Sequence, residues 1–183
     1  MRQVFFYGAI SLDGFLATQS DDLQWLFDTT LDPDYDISAF EDRIDTVVMG
    51  NTTYRETQEL LGADPIFPNK EKIVFSRTES GQLMGGKYVS GDPVEILQDL
   101  KAQPGKAIWV LGGGKLVTTL LKHDLLDELW IQMAPVFLGT GKRLFEETTM
   151  AHKRFELVAV KPIGQLSELH LKRLPQAQDI PEI

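Results

Sequence analysis

Short apolar runs alternate with longer amphipathic stretches along the chain. Eight runs rich in β-branched and aromatic residues predict strands, and several are apolar at consecutive positions, as in strands covered on both faces. The predicted strands are residues 4–10, 46–49, 72–75, 87–89, 107–111, 129–136, 155–160 and 166–174. Stretches with helical spacing predict helices at residues 37–43, 53–61, 93–102 and 115–122.

The order of these elements predicts the fold class. Strands and helices alternate over the first two-thirds of the chain, which is typical of a parallel sheet with right-handed crossovers. The helices then stop, and Gly164 separates two strand-like runs that we expect to pair antiparallel. We therefore predict a single α/β domain over residues 1–174, and we expect the polar, proline-bearing residues 175–183 to form a frayed tail.

Composition and charge narrow the functional classes. The chain has 183 residues, of which 43% are hydrophobic and 25% charged, and this suits one globular domain. A net charge of −9 disfavours nucleic acid and anionic membranes as partners. Because the chain has no cysteine, disulfides, thiol catalysis and thiolate metal sites are excluded. The first apolar run breaks at Ser11 and no run reaches the ~18 residues of a membrane span, which predicts a cytoplasmic protein.

A triple glycine, Gly112-Gly113-Gly114, stands between a predicted strand and a predicted helix. Backbone without Cβ atoms can approach a ligand closely, and the N–H groups of a helix start are a natural seat for phosphate. The spacing matches neither established phosphate motif, because Leu116 stands where a P-loop needs Ser or Thr and Val117 replaces the third Rossmann glycine. Taken alone, the segment is equally compatible with a structural turn.

Two further strand ends carry similar chemistry. Gly50 is followed by Asn51-Thr52-Thr53, which is either helix capping or a phosphate contact, and Ser76-Arg77-Thr78 is either an exposed turn or a contact for a ribose and its phosphate. Ligands of open α/β sheets bind beyond the carboxyl ends of the strands. The joint occurrence of three such ends therefore favours a dinucleotide site.

Other polar and aromatic positions leave two interpretations open. Asp13 with Gly14 forms either a simple turn or a mobile loop over the substrate, and Trp25 is either a core aromatic or a wall of the substrate pocket. The pair Lys142-Arg143 is either solvated or a contact for a phosphate-bearing substrate. The three histidines lack metal-ligand spacing, so we predict no metal site. They are His123, His152 and His170.

Taken together, these segments resemble the dihydrofolate reductase superfamily. The matching segments are residues 11–14, 48–54, 75–78 and 111–116, and residues 126–131 and 135–145 are similar to the branch that contains the C-terminal reductase domain of bifunctional riboflavin biosynthesis proteins. The likeness covers about residues 2–174. It implies a three-layer fold with a mixed, mostly parallel eight-stranded sheet, a homodimer, NADPH as cofactor and a reductase of a small polar or heterocyclic substrate. The activity it resembles is that of 5-amino-6-(5-phosphoribosylamino)uracil reductase.

The resemblance also implies site residues. Gly50, Thr52 and Thr53 would contact the cofactor's phosphates, and Ser76 and Arg77 the adenosine ribose and any 2′-phosphate. The remaining cofactor contacts would be Ala9, Leu16, Gly112, Gly113, Gly114, Lys115 and Leu116. Ser11, Asp13 and Trp25 would border the substrate.

The chain departs from the superfamily pattern at two places. Asn51 replaces the basic residue that often grips the 2′-phosphate, so NADH is possible as well as NADPH. No acidic residue clearly matches the one that folate reductases carry after the tryptophan, although Asp28 and Asp32 are nearby. Dihydrofolate reductase and a non-catalytic nucleotide-binding module therefore stay as alternatives. The proton would come from a bound water or from Asp13, if burial raises its pKa.

Overall fold

A nine-stranded mixed sheet organises the part of the chain that the computed structural model describes, residues 1–174. The predicted frayed tail, residues 175–183, lies outside the described residues. The strands are β1 (Val4–Ile10), β2 (Phe15–Ala17), β3 (Ile44–Gly50), β4 (Glu71–Phe75), β5 (Gln82–Leu83), β6 (Gly86–Val89), β7 (Ala107–Gly112), β8 (Glu128–Met133), β9 (Lys142–Arg143), β10 (Phe155–Ile163) and β11 (Leu166–Arg173). The helices are α1 (Gln24–Phe27), α2 (Ser38–Glu41), α3 (Asn51–Leu61), α4 (Pro93–Ala102) and α5 (Gly114–Lys122).

The sheet topology confirms the predicted fold class. The strand order is β10-β11-β8-β1-β7-β3-β4-β6-β5, and the six strands from β8 to β6 in this order run parallel. The C-terminal pair β10 and β11 is antiparallel, as predicted, and β11 joins β8. The expected count of eight strands is wrong, because the two-residue strand β5 folds back on β6 through Gly85 at φ 71° and adds a ninth strand at the edge.

The missed elements are all short. β2 and β9 pair antiparallel as a separate two-stranded ribbon, and α1 has only four residues. Such lengths carry too few residues to display a period. The predicted helix over residues 37–43 is a single turn, α2. β10 runs beyond its predicted end to Ile163 and includes Pro162, which is tolerated because β10 is the sheet edge and need not donate on that side.

Alternating side chains of the sheet build a core on each face. Phe5 and Phe6 are adjacent in β1, and both are fully buried, each on one face. Phe6 belongs to the cluster beneath α4 and α5, whereas Phe5 belongs to the cluster beneath α2 and α3. The second cluster is aromatic, with edge-to-face ring pairs joining Phe40 to Trp109 and to Trp130. Both faces are therefore covered across the parallel strands, which explains their continuous apolar runs.

Candidate cofactor and substrate site

Two helices begin side by side at the carboxyl edge of the sheet. β3 leads into α3 at Gly50, and β7 leads into α5 through Gly113. A Cβ placed on Gly50 would lie 3.9 Å from the backbone nitrogen of Gly113, and one placed on Gly113 would lie 3.7 Å from Thr53 Oγ1. The two predicted glycine segments therefore converge on one small region.

Both helix starts lack a side-chain cap. Gly50 and Gly113 occupy the N-cap positions, and the first turns of α3 and α5 contain no acidic residue. By contrast, Asp92 caps α4 by accepting a hydrogen bond from the Val94 N–H at 2.9 Å. The Oδ1 atom of Asn51 is buried and meets no hydrogen-bond partner within residues 1–174. Uncapped N–H groups carry partial positive charge, so this pair of helix starts is suited to an anion. The capping interpretation of residues 51–53 is thus wrong.

The residues of the triple-glycine segment have different tasks. Gly114 is buried, and a Cβ there would overlap the carbonyl oxygen of Arg143, so this glycine allows β9 to pack against α5. Gly112 has φ 139°, a conformation that side chains rarely adopt, and its peptide bond to Gly113 is cis. Leu116 packs in the core, and Lys115 is exposed.

Residues 76–78, after the end of β4, form a turn, which is one of the two interpretations of this segment that the sequence allows. The Ser76 hydroxyl is buried and accepts hydrogen bonds from the N–H groups of Thr78 at 3.2 Å and Glu79 at 2.9 Å. Arg77 is exposed at the same edge. The turn therefore holds the Arg77 guanidinium in solvent, at the strand end next to α3.

The loop after β1 is closed by its own polar groups. Ser11 is 0% exposed, and its hydroxyl donates to Asp13 Oδ1 at 2.7 Å and accepts from the Phe15 N–H at 3.0 Å. Asp13 also accepts backbone hydrogen bonds from Leu138 at 3.1 Å and Gly139 at 2.7 Å. Its carboxylate thus ties the first loop to the loop after β8.

These contacts also decide the charge of Asp13. Burial raises the pKa of its carboxyl group, but the hydrogen bonds from Ser11 and from two backbone N–H groups outweigh burial and bring the pKa below its usual value. The proton-donor hypothesis required the opposite shift. Because both functions of the Ser11 hydroxyl are used inside the loop, this residue shapes the loop and does not face open space.

The basic pair Lys142-Arg143 forms β9, and both side chains contact other residues of the protein. Lys142 forms an ion pair with Asp21, and the Arg143 guanidinium lies 4.7 Å above the Phe15 ring. Glu56 of α3 faces the same cluster. Burial, with the charge of Asp21 and a hydrogen bond to it, raises the pKa of Glu56 to about 7. Lys142 and Arg143 are therefore engaged within the protein.

A cavity of about 420 Å³ opens on the α2 side of β1, β8 and β11. Its lining combines aromatic, acidic and basic side chains: Tyr7, Asp32, Asp34, Tyr35, Asp36, Ile37, Ala39, Phe40, Arg43, Trp130, Lys161, Pro162, Ile163 and Glu168. Of these, Asp32 was noted from the sequence as lying near the expected acidic position. Asp28 does not line this cavity but ends α1, where it accepts a hydrogen bond from Gln24.

Gln132 organises the polar side of this cavity. Its Nε2 atom lies 2.7 Å from Tyr7 Oη, 2.9 Å from Tyr35 Oη and 3.1 Å from Glu168 Oε2. Gln132 pairs in register with Ala9, and β1 lies between β8 and the β7 strand that ends in Gly112. Ala9 therefore lies on the strand between Gln132 and the strand that ends in Gly112. Sequence reasoning missed all four polar residues, and only the polar Gln132 within an apolar strand gave a local signal.

Trp25 is neither a fully buried core aromatic nor a residue of the cavity wall. It packs with Ala134, Ile163 and Leu166, a small cluster beside the cavity. Its Nε1 atom is buried without a hydrogen-bond partner in the described part of the chain. It is thus a half-buried packing residue next to Ile163, which lines the cavity. Leu16 packs against the core beneath α4 and α5.

Residues 1–174 contain neither of two other kinds of site. No helix in this range is long and apolar enough to cross a membrane, and no group of three or more acidic or histidine side chains there could hold a metal ion. His170 instead stacks on Trp130 at 4.0 Å, and its Nε2 lies 2.8 Å from Glu128 Oε2.

The fold class follows from similarity to solved structures. Two solved structures of low identity share this fold. Dihydrofolate reductase from Enterococcus faecalis, complexed with NADP(H), is 18% identical over 93% of this chain and 96% of its own, with a TM-score of 0.61. A diaminohydroxyphosphoribosylaminopyrimidine deaminase/5-amino-6-(5-phosphoribosylamino)uracil reductase from Thermotoga maritima is 17% identical over 94% of this chain and 57% of its own, with a TM-score of 0.69. The fold is therefore that of dihydrofolate reductase.

The family follows from matches of higher identity. The family model of the RibD C-terminal domain matches residues 2–167, so this chain belongs to that family. The uncharacterized protein YwjB of Bacillus subtilis is 33% identical over 94% of this chain and 98% of its own. The structure of a riboflavin biosynthesis protein from Shewanella, for which that role is only provisionally assigned, is 28% identical over 96% of this chain and 100% of its own, with a TM-score of 0.81.

Proposed function

We propose that this protein is an NAD(P)H-dependent reductase of a small polar or heterocyclic substrate. The observation that carries the proposal is the pair of uncapped helix starts, α3 and α5, which meet at Gly50 and Gly113. Two adjacent helix starts, together with a 420 Å³ cavity on the strand next to β7, suit a molecule with two linked phosphates and a reactive ring. Membership of the RibD C-terminal family supports the same assignment.

We assign cofactor contacts to part of the set that the resemblance implied, and we give Leu16 and Leu116 a supporting role instead. Gly50, Thr52 and Thr53 would hold one phosphate at the start of α3, and Gly113 with Gly114 the other at the start of α5. The exposed Arg77 would meet a 2′-phosphate, which favours NADPH over NADH in spite of Asn51. Ala9, beside the cavity, would contact the nicotinamide. Leu16 and Leu116 pack in the core and would support these contacts from behind.

The bound cofactor would supply a hydride. The chain's own contribution would be to hold the acceptor in the cavity at about 3–3.5 Å from the nicotinamide and to exclude water. Asp13 would act as a positioning residue, because its ionised carboxylate ties the first loop to Leu138 and Gly139. With its pKa lowered, it is unsuited to donate a proton near neutral pH. A bound water therefore becomes the proposed proton source.

The resemblance implied the activity of 5-amino-6-(5-phosphoribosylamino)uracil reductase, which the name of the Thermotoga maritima protein includes. Dihydrofolate reductase is the alternative that Asp32 in the cavity lining would favour. The two are separable by ligand. Tight binding of methotrexate would support the second and would not be expected for the first.

Thermal melting with each nicotinamide nucleotide tests the proposal. Ligands that bind only the folded state raise its stability by RT ln(1 + [L]/Kd), so NADPH at about 100 times its Kd should add about 2.7 kcal/mol. NADH should add less. A nucleotide-binding module without catalysis would show the same shift but no NADPH oxidation with a broad acceptor panel. No shift with either nucleotide would contradict the proposal.

We also propose that the protein is a homodimer, as the resemblance implied. β10 is a sheet edge, and its outward side chains Leu157 and Val160 are 58% and 56% exposed. An exposed apolar edge strand is a typical contact surface for a second chain. Sedimentation should show a dimer, and Val160→Lys should yield a monomer that still unfolds cooperatively, at a somewhat lower melting temperature because the partner no longer stabilises the folded state. A monomeric wild type would contradict this proposal and leave the reductase proposal untouched.

A further inference from the structure

We infer that the cavity accepts a substrate without a phosphate group, one that presents hydrogen-bond donors to Glu168 and to the Gln132 cluster. The cluster consists of Gln132, Tyr7, Tyr35 and Glu168. This inference rests on the proposed function, in which the cavity is the substrate site. It departs from the phosphoribosylated uracil for which the Thermotoga maritima protein is named.

The charges around the cavity disfavour an anion. Its lining contains four acidic side chains and two basic ones: Asp32, Asp34, Asp36 and Glu168 against Arg43 and Lys161. A phosphate monoester carries about −1.5 to −2 charges near neutral pH, so four carboxylates around one cavity would repel it. A neutral or cationic ring meets no such penalty.

The two basic side chains of the lining offset only part of these charges, because four acids face two bases. The Arg43 guanidinium lies 4.5 Å from the Phe5 ring centre and 5.2 Å from that of Trp130, and it also faces Glu128 at 3.8 Å. Lys161 stands directly opposite Glu168 in the β10–β11 register, where opposite charges on neighbouring strands interact. Lys142 and Arg143 do not line the cavity, and they are engaged by Asp21 and Phe15.

The Gln132 cluster has more acceptors than its amide can serve. Three oxygens surround Nε2 at 2.7–3.1 Å, but an amide nitrogen carries only two hydrogens. Glu168 is the most distant of the three, and an ionised carboxylate accepts several hydrogen bonds and donates none. A ligand N–H group would satisfy this spare capacity.

The environment of Tyr35 agrees with a negative cavity. Burial raises the pKa of the Tyr35 hydroxyl, and the charges of Glu168 and Asp36 raise it further, although the hydrogen bond from Gln132 lowers it. Tyr35 is therefore neutral and has a hydroxyl proton of its own to donate. A ring with adjacent donor and acceptor atoms matches Glu168 and Tyr35 together.

Calorimetric titration of the full chain with three probes tests the inference. The probes are 2,4-diaminopyrimidine under mildly acidic conditions, where its ring is protonated, uridine and uridine 5′-monophosphate. We expect the diaminopyrimidine to bind, and we expect the 5′-phosphate to weaken uridine binding about tenfold, which corresponds to about 1.4 kcal/mol. Glu168→Gln should weaken diaminopyrimidine binding about tenfold, whereas Glu156→Gln, an exposed acid of β10 outside the cavity, should not.

A second variant, Asp34→Asn, keeps the inference testable if Glu168→Gln fails to fold. Asp34 is exposed at the cavity rim, and Asp34→Asn should improve binding of uridine 5′-monophosphate a few-fold. Tighter binding of the monophosphate than of uridine would overturn the inference, as would no binding of the diaminopyrimidine. NADPH binding is measured on the same samples. Its absence would defeat the proposed function but leave the charge preference of the cavity standing.

Discussion

The glycine segments and the cavity are built in different ways. The proposed cofactor site consists mainly of backbone N–H groups from consecutive residues at two strand ends, Gly50–Asn51 and Gly112–Gly114. The cavity consists of side chains that lie far apart in the chain, such as Tyr7, Gln132 and Glu168. A site made from local backbone leaves a mark in the sequence, because only glycine allows such close approach. A site made from distant side chains leaves none until register brings them together.

The largest expected effect is the loss of stability on substitution of Gly114. A Cβ at Gly114 would overlap the backbone carbonyl of Arg143, which no rotamer change can relieve. Gly114→Ala should therefore cost at least about 1–3 kcal/mol of unfolding free energy, measured by urea denaturation. Gly113→Ala is the matched variant, because its Cβ would meet only Thr53 Oγ1 at 3.7 Å.

Gly113→Ala should cost clearly less stability than Gly114→Ala and should weaken NADPH binding, since its methyl group would stand where the phosphate at the start of α5 approaches. Equal stability losses in the two variants would show that both glycines serve packing alone. The pair therefore separates the structural task of the triple glycine from its proposed ligand contact.

The next largest effect is expected for Arg77→Ala, which should change the affinity for NADPH. A hydrogen bond to a charged group contributes about 1.5–3 kcal/mol, so Arg77→Ala should weaken NADPH binding roughly tenfold or more. NADH lacks the 2′-phosphate, and its affinity should not change. Lys87→Ala, an exposed cation on the neighbouring strand β6, is the control for general electrostatics. An unchanged NADPH affinity in Arg77→Ala would remove this contact from the proposal.

Tyr35→Phe tests the cavity, the second of the two regions compared. It removes one hydroxyl from the Gln132 cluster without changing charge or volume appreciably. We expect turnover of an accepted substrate to fall several-fold, with NADPH affinity as in the wild type, because Tyr35 lies with Asp36 and Glu168 on the cavity side. A loss of NADPH affinity in this variant would mean that the two regions are one site.

The fold was largely predictable where the pattern is long. β1 and α4 have the predicted bounds, since seven apolar-rich residues and the capped start at Asp92-Pro93 are strong local signals. β2, β5 and β9 were missed because two or three residues cannot show alternation. Asp13 was identified by position, but its charge state depends on Leu138 and Gly139, which are 125 and 126 residues away. Contacts of that range have no local signature.

The smallest effect concerns Glu56, which links α3 of the proposed cofactor site to the β2–β9 ribbon. Burial, with the nearby charges of Asp21 and Glu59, raises the pKa of Glu56 from 4.5 to about 7, and Lys142 opposes this shift. Between these values the folded state keeps a proton that the unfolded chain has lost. Glu56 therefore stabilises the fold most below 4.5, and this contribution is lost as pH rises through 7.

Thermal melting from below 4.5 to well above 7 measures this contribution. Because the side chain is only half-buried, we expect at most about 1 kcal/mol, or roughly 2–4 °C. In Glu56→Gln, a permanently neutral amide replaces the protonated carboxyl, so its melting temperature should fall less with rising pH than that of the control Glu156→Gln. Parallel curves for the two variants would show that Glu56 does not contribute to the pH dependence of stability in this range.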